Sequence, residues 1–224
     1  MANPANRSLF AMIIAVVVAI AVTVVAVLVY MMNRDGTVEV EAPDIAVVDQ
    51  ESGAIVVGSA DHVLETYVDF MCPYCGEFES LWGEDIAQAV DDGSVELHVY
   101  PLGFLDAQSQ GTNYSTRAAN SLYCLADEDP DAILPYMASL FADQPAEGTA
   151  GLDDDQLLAH AADAGVASSA FQECVTSQTH ERLIGQLNGN VPVNPQTGKR
   201  GIPTILLDGE RITYTDGPGV LATL

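Results

Sequence analysis

From Leu9 to Met32 the chain is apolar apart from Thr23. Those 24 residues would form a helix of roughly 36 Å, enough to cross a hydrocarbon core of about 30 Å with some tilt. The run ends Leu28-Val29-Tyr30-Met31-Met32, bulky where a cleaved signal presents small residues, so the pattern predicts an uncleaved transmembrane anchor over 9–32. One basic residue flanks each end, Arg7 and Arg34, so charge barely decides orientation. The expected arrangement is a cytoplasmic tail, 1–8, and everything after the anchor outside the membrane. Asn33 to Pro43 is polar and acidic and reads as the start of a linker, 33–54.

Beyond it the period shortens to that of strands. Ile55-Val56-Val57 is a strand candidate, and Val63 to Phe70 a second, rich in β-favouring types. Next comes a helix pattern, with Phe78, Leu81, Trp82, Ile86 and Val90 expected on one buried face and Gly93 closing it. Val95, Leu97 and Val99 alternate through a third strand, Val95 to Leu102. The following residues are helical. Ser115 to Ala126 is one helix, and Asp129-Pro130 opens another that reaches Phe141. Asp153 with Gln156 and Ser169 with Gln172 read as capping boxes. Leu183, Ile184 and Leu187 mark a last helix before a loop, Gly189 to Gly201. Thr204–Leu207 and Arg211–Tyr214, joined at Asp208-Gly209, read as a hairpin. The residues after Tyr214 leave room for only a short final helix. The expected fold is therefore α/β: a central mixed sheet over 55–224 with an all-helical lobe inserted at about 114–188.

Charge narrows the partners. From residue 34 onward, 6 basic side chains face 32 acidic ones, which excludes a nucleic-acid interface. The acids are scattered, as a solvated surface requires. His62, His98, His160 and His180 are dispersed and form no ligand pattern, so no metal is expected. Trp82 and the loop prolines Pro192 and Pro195 read as structural.

The chemistry-bearing feature is Cys72-Pro73-Tyr74-Cys75, set between a strand and a helix. Two thiols at that spacing can reach each other. The first sits at a helix amino end, where unpaired N–H groups and the dipole favour a thiolate, the reactive form of cysteine. Pro73 suits the first helical turn.

Phe70-Met71-Cys72-Pro73-Tyr74-Cys75-Gly76 after a strand, the helical insertion, and Gly201-Ile202-Pro203-Thr204 before a strand together resemble the DsbA-like thiol–disulfide oxidoreductases of the thioredoxin fold. The resemblance spans Ile55 to Tyr214. The anchor and the extra cysteine pair are similar to the exported members found in high-GC Gram-positive bacteria. The resemblance implies that Cys72 is an exposed nucleophile, that Cys75 is its buried partner, and that Pro73 and Tyr74 tune the couple. It implies a cis bond at Ile202-Pro203 facing the cysteines, against which a substrate strand could pair. It also implies no cofactor beyond the redox disulfide, substrates among unfolded exported proteins, a quinone-linked membrane reoxidase, and a monomer. Many relatives hold a buried acid six residues before the first cysteine. Thr66 stands there, and strand alternation would turn Glu65 and Asp69 to the opposite face. Tyr74 replaces the histidine common in the strongest oxidases, so oxidase, reductase and isomerase directions stay open, as does a non-catalytic docking module.

Cys124 and Cys174 lie on predicted helices of the lobe, 50 residues apart. A structural disulfide between two helices is the expectation, with two buried free thiols as the alternative. A zinc site using all four cysteines is disfavoured by the spacing of this second pair.

Overall fold

The computed structural model of the chain describes residues 14–25 and 38–224. They belong to two units divided between Thr37 and Val38. In the first, residues 14–25 form helix α1. There Thr23 Oγ1 donates to the Ala19 carbonyl at 2.8 Å, so the one polar side chain of the apolar run is satisfied within the helix. No helix among the described residues is long and apolar enough to cross a membrane. The remainder of the anchor predicted over Leu9–Met32 lies outside the described residues.

In the second unit, β1 (Ile55–Val57), β2 (His62–Val68), β3 (Val95–Pro101), β4 (Thr204–Leu207) and β5 (Glu210–Ile212) form one sheet in the order β1-β3-β2-β4-β5. β2 and β3 are parallel and the other neighbours antiparallel. Parallel neighbours need a crossover, and helix α2 (Pro73–Asp91) supplies it. Its buried stripe is Phe78, Trp82, Ile86 and Ala89, one face at helical spacing. Leu81, expected on that face, is 47% exposed. It lies one residue from Trp82, about 100° around the helix. Val95, Leu97 and Val99 are buried as their alternation predicted. At the β4–β5 turn, Asp208 (φ 50°) and Gly209 (φ 80°) both take left-handed conformations, the requirement of a tight two-residue hairpin. Asp208 also accepts from the Val63 amide at 2.9 Å and pairs with His62 at 2.8 Å, so the turn braces the start of β2.

The lobe comprises α3 (Tyr114–Glu128), α4 (Ile133–Ala142), α5 (Asp154–Asp163), α6 (Ser169–Ser177) and α7 (Glu181–Asn190). α3 is buried almost all round, as expected of a helix packed at the centre of a lobe. The capping box at Asp153 and Gln156 forms in both directions. The second box does not form: Ser168, not Ser169, is the N-cap and accepts from the Phe171 amide at 3.0 Å, and Phe171 has no side-chain acceptor to return the bond. A disulfide joins Cys124 on α3 to Cys174 on α6 with Cα atoms 5.8 Å apart.

The predicted linker 33–54 is corrected from Val38 onward. The Val38 amide and carbonyl both pair with the Asn190 side chain, at 2.6 and 2.8 Å. The Glu41 amide donates to Gln186 Oε1 at 2.9 Å, and Arg182 pairs with Glu41 at 2.6 Å. Val38 and Val40 alternate toward α7, with Val40 set against Gly53, Leu183 and Leu187. Hydrogen bonds to α7 and the packing of Val40 on the core hold a segment whose polar composition suggested a free tether.

Candidate active site

β2 ends at Val68, and the chain turns before α2 begins. The Cys72 amide donates to the Asp69 carbonyl at 3.1 Å. Cys72 then takes the N-cap position with extended backbone (φ −75°, ψ 116°), and Pro73 occupies the first helical residue, where a missing N–H costs nothing. The Cys72 carbonyl accepts from the Cys75 amide at 2.9 Å and the Gly76 amide at 3.1 Å, closing the first turn. Both cysteines are free thiols. Cys72 is 4% exposed and Cys75 0%. The exposed sulfur expected at Cys72 is thus corrected to one at the rim of the fold, nearly covered in this conformation. Tyr74, beside it, is 63% exposed.

The two thiols differ in acidity for identifiable reasons. The Cys72 sulfur sits at the amino end of α2 near the Cys75 thiol and the N–H groups of Cys75 and Tyr74, although no amide makes a capping hydrogen bond to it. Together that thiol and those N–H groups hold the Cys72 pKa below the ordinary thiol value against an opposing effect of burial. Burial, the interaction with the Cys72 side chain and repulsion from the Cys72 thiolate push Cys75 well above it. Cys72 therefore ionises first.

Sequence reasoning missed Asp69. The alternation that placed it on the far face holds only within the strand, and the strand stops one residue earlier. Asp69 is 0% exposed. One carboxylate oxygen accepts from the Met71 amide and the other from the Leu105 amide, both at 2.8 Å. Burial raises its pKa to about 6, with those hydrogen bonds opposing, and its charge raises the pKa of both cysteines. A buried carboxyl is thus present at the site, but three residues before Cys72 rather than six. Thr66, at the position six before, instead floors a cavity of about 580 Å³ between α2 and α4. Because the folded pKa of Asp69 lies above the ordinary carboxylate value of about 3.9, its stabilising contribution is present below about pH 4 and is lost as pH rises through about 6. The full span is roughly 3 kcal/mol. Urea unfolding of the reduced protein at pH 4 and pH 7 should show that much of its pH dependence vanish in Asp69→Asn. An unchanged difference between the two pH values would contradict the assignment.

The Ile202–Pro203 bond is cis. In the antiparallel β2–β4 pair Tyr67 faces Thr204, so Pro203 falls at the level of Val68, at the same end of the sheet from which the chain turns into Cys72. The approach is braced by side chains the sequence did not single out. Arg211 donates to Thr204 Oγ1 at 2.8 Å and to the Pro192 carbonyl at 2.9 Å, and Arg200 Nε to the Val191 carbonyl at 2.9 Å. Thr204 Oγ1 donates to the Gly201 carbonyl at 2.7 Å. Trp82 is buried, and its indole N–H donates to the Tyr214 carbonyl at 2.7 Å. This seats Tyr214 edge-on against Phe78, with its hydroxyl on Glu77 at 3.1 Å.

Cys124, Cys174 and His180 lie close enough together to hold a metal. Both sulfurs are committed to the disulfide, so the group offers no thiolate ligand.

A mixed sheet with an inserted helical lobe and a Cys-Pro-Tyr-Cys turn beside a cis-proline defines a thioredoxin-type protein, and residues 51–219 match the family described as thioredoxin (Thioredoxin_4). The chain belongs to that family. Among solved structures it is similar to the reduced disulfide bond oxidoreductase DsbG of Mycobacterium tuberculosis, at 30% identity and TM-score 0.64, with 76% of this chain and 84% of that one covered. It is also similar to oxidised DsbA from Mycobacterium tuberculosis, at 29% identity and TM-score 0.63, with 76% and 98% covered. Among curated proteins, 128 residues are 35% identical to the serine/threonine-protein kinase PknE of Mycobacterium tuberculosis, covering 55% of this chain. The chain spans only 23% of that kinase's length.

Proposed function

We propose that the protein is an extracytoplasmic thiol–disulfide oxidoreductase that introduces disulfides into exported proteins through the Cys72–Cys75 couple. The observation that carries this reading is the placement of Cys72 at the amino end of α2, with Cys75 one turn below and the cis Ile202–Pro203 bond at the same end of the sheet. The similarity to the oxidoreductases DsbG and DsbA supports it.

In the oxidised protein a substrate thiolate attacks the Cys72 sulfur. The Cys72–Cys75 bond breaks, a mixed disulfide forms, and Cys75 leaves as a thiolate that takes up a proton. A second substrate thiolate then attacks the substrate sulfur of the mixed disulfide and expels Cys72 as a thiolate. The substrate loses two electrons and two protons; the protein gains both electrons and the Cys75 proton, and the second proton goes to solvent while Cys72 remains a thiolate. Stabilising the Cys72 thiolate stabilises the reduced protein, which makes the disulfide form the stronger oxidant. This favours the oxidase direction over reduction or isomerisation. Ile202 and Pro203 would present backbone to an extended substrate, and Pro73 and Tyr74 would set which N–H groups reach the thiolate. The apolar run Leu9–Met32 would anchor the domain on the outer face of the membrane as a monomer, beside a reoxidising membrane protein, most simply a quinone-linked one. The acid-rich surface is compatible with such a setting and repels nucleic acid.

Mixing the oxidised protein with a reduced, unfolded two-cysteine polypeptide tests the reading. One substrate disulfide should form for each Cys72–Cys75 disulfide consumed. Equilibrium against glutathione should place the couple nearer about −120 mV, typical of a strong oxidant, than about −270 mV, typical of thioredoxin. A Cys72–Cys75 disulfide that persists unchanged beside reduced substrate would reduce the protein to a docking module.

A further inference from the structure

Gln144 lies two residues past the end of α4, in the helical lobe, yet its side chain reaches the redox turn. Its Nε2 donates to the Phe70 carbonyl at 3.1 Å and to the Cys72 carbonyl at 3.0 Å. The Cys72 carbonyl is also the acceptor for the Cys75 and Gly76 amides, so the Gln144 amide bonds the atom on which the first turn of α2 is wound. The Phe70 carbonyl lies in the turn between β2 and α2 and belongs to a fully buried residue, where a carbonyl without a donor is costly. Next to these bonds Phe141, at the end of α4, packs its ring 4.9 Å from that of Phe70. Gly76 completes the arrangement. A Cβ at that position would overlap the Gln144 carbonyl oxygen, so the glycine is the space through which the lobe's amide enters. Its φ is not in the left-handed region, so backbone conformation does not require a glycine there.

We propose that Gln144 is a positioning residue for thiol exchange, holding the Phe70–Cys72 turn and the first turn of α2 so that the amino end of that helix stays aimed at the Cys72 sulfur. It makes the helical lobe part of the redox site. The bond from Nε2 fixes the direction of the Cys72 carbonyl. That direction sets the peptide planes of Cys75 and Gly76, whose amides it accepts, and with them the orientation of the helix amino end that favours the thiolate. The proposal rests on the reading that Cys72 is the ionising sulfur, and the two can fail separately.

The test uses the reduced full-length protein and follows thiolate absorbance as pH is raised. Gln144→Met keeps the length and flexibility of the side chain and deletes the amide. It should move the Cys72 titration up by about half a unit and make the couple roughly threefold less oxidising against glutathione. Gln144→Glu sets a carboxylate against two carbonyl oxygens and should shift it further in the same direction. Gly76→Ala, by displacing the amide, should reproduce the Met shift, and the Gly76→Ala/Gln144→Met pair should add nothing to it, the signature of one shared interaction. A purely structural Gln144 would lower thermal stability and leave the titration where it was. That result in the Met and Glu variants overturns the proposal. A wild-type protein without an early-titrating Cys72 overturns the underlying functional reading instead.

Discussion

Cys72→Ser is expected to end substrate oxidation, leaving only the uncatalysed rate, because an alcohol at the attacked position can form no mixed disulfide. Cys75→Ser should behave differently. Cys72 remains able to exchange with a substrate disulfide, but no internal sulfur can resolve the product, so substrate-linked protein should accumulate. Non-reducing electrophoresis of the two variants incubated with an oxidised substrate distinguishes them: a higher-mass, thiol-sensitive band for Cys75→Ser and none for Cys72→Ser. The asymmetry follows from the site. Cys72 caps α2 at the rim, whereas Cys75 is sealed beneath it with its pKa pushed up by burial. Equal trapping by both variants would mean that either sulfur can exchange with substrate, and would contradict the order in which Cys72 reacts first.

Removing the lobe disulfide should have the largest effect on stability. Cys124 and Cys174 close a loop with a sequence separation of 50. For a loop of that size the chain-entropy account gives about 4 kcal/mol. Cys124→Ala with Cys174→Ala should lower the unfolding free energy by that order in urea titration, while the Cys72 titration stays in place. The bond lies in the lobe between α3 and α6, and Asn120 ties its surroundings together. Its amide nitrogen contacts Cys124 Sγ at 3.6 Å and its Oδ1 accepts from the His180 amide at 2.8 Å. A loss below about 1 kcal/mol would show that packing around the fully buried Leu122, Tyr123 and Leu125 holds the lobe without the cross-link.

What was legible in the chain was whatever is recorded over short spans. Alternation at Val95, Leu97 and Val99, the stripe from Phe78 to Ile86, the Asp153–Gln156 box and the Asp208-Gly209 turn are each local signals, and each forms. The family resemblance placed the cis bond and the cysteine turn for the same reason. Misreadings arose where a local rule was carried past the end of its element or where a partner was distant. Asp69 was assigned to the face opposite Thr66 by strand alternation carried one residue beyond the strand, and so the buried carboxyl of the site was overlooked. Val38 and Val40 sit in an acidic stretch whose composition reads as tether. What seats them is α7, about 150 residues later, through Asn190 and Gln186. Gln144, Arg200 and Arg211 left no trace because they bond backbone carbonyls, and a carbonyl has no sequence identity to match. Leu81 and Ser169 were each one position from the residue that does the work.

The difference in acidity between the two thiols is the claim on which the chemistry depends, and alkylation of the reduced protein reads it most directly. Iodoacetamide applied for short times across a range of pH, with the modified residue located by mass spectrometry, should label Cys72 first and at a pH below that of an ordinary thiol, with Cys75 protected throughout. Labelling of Cys75 before Cys72, or a Cys72 that reacts only where free cysteine does, would contradict it.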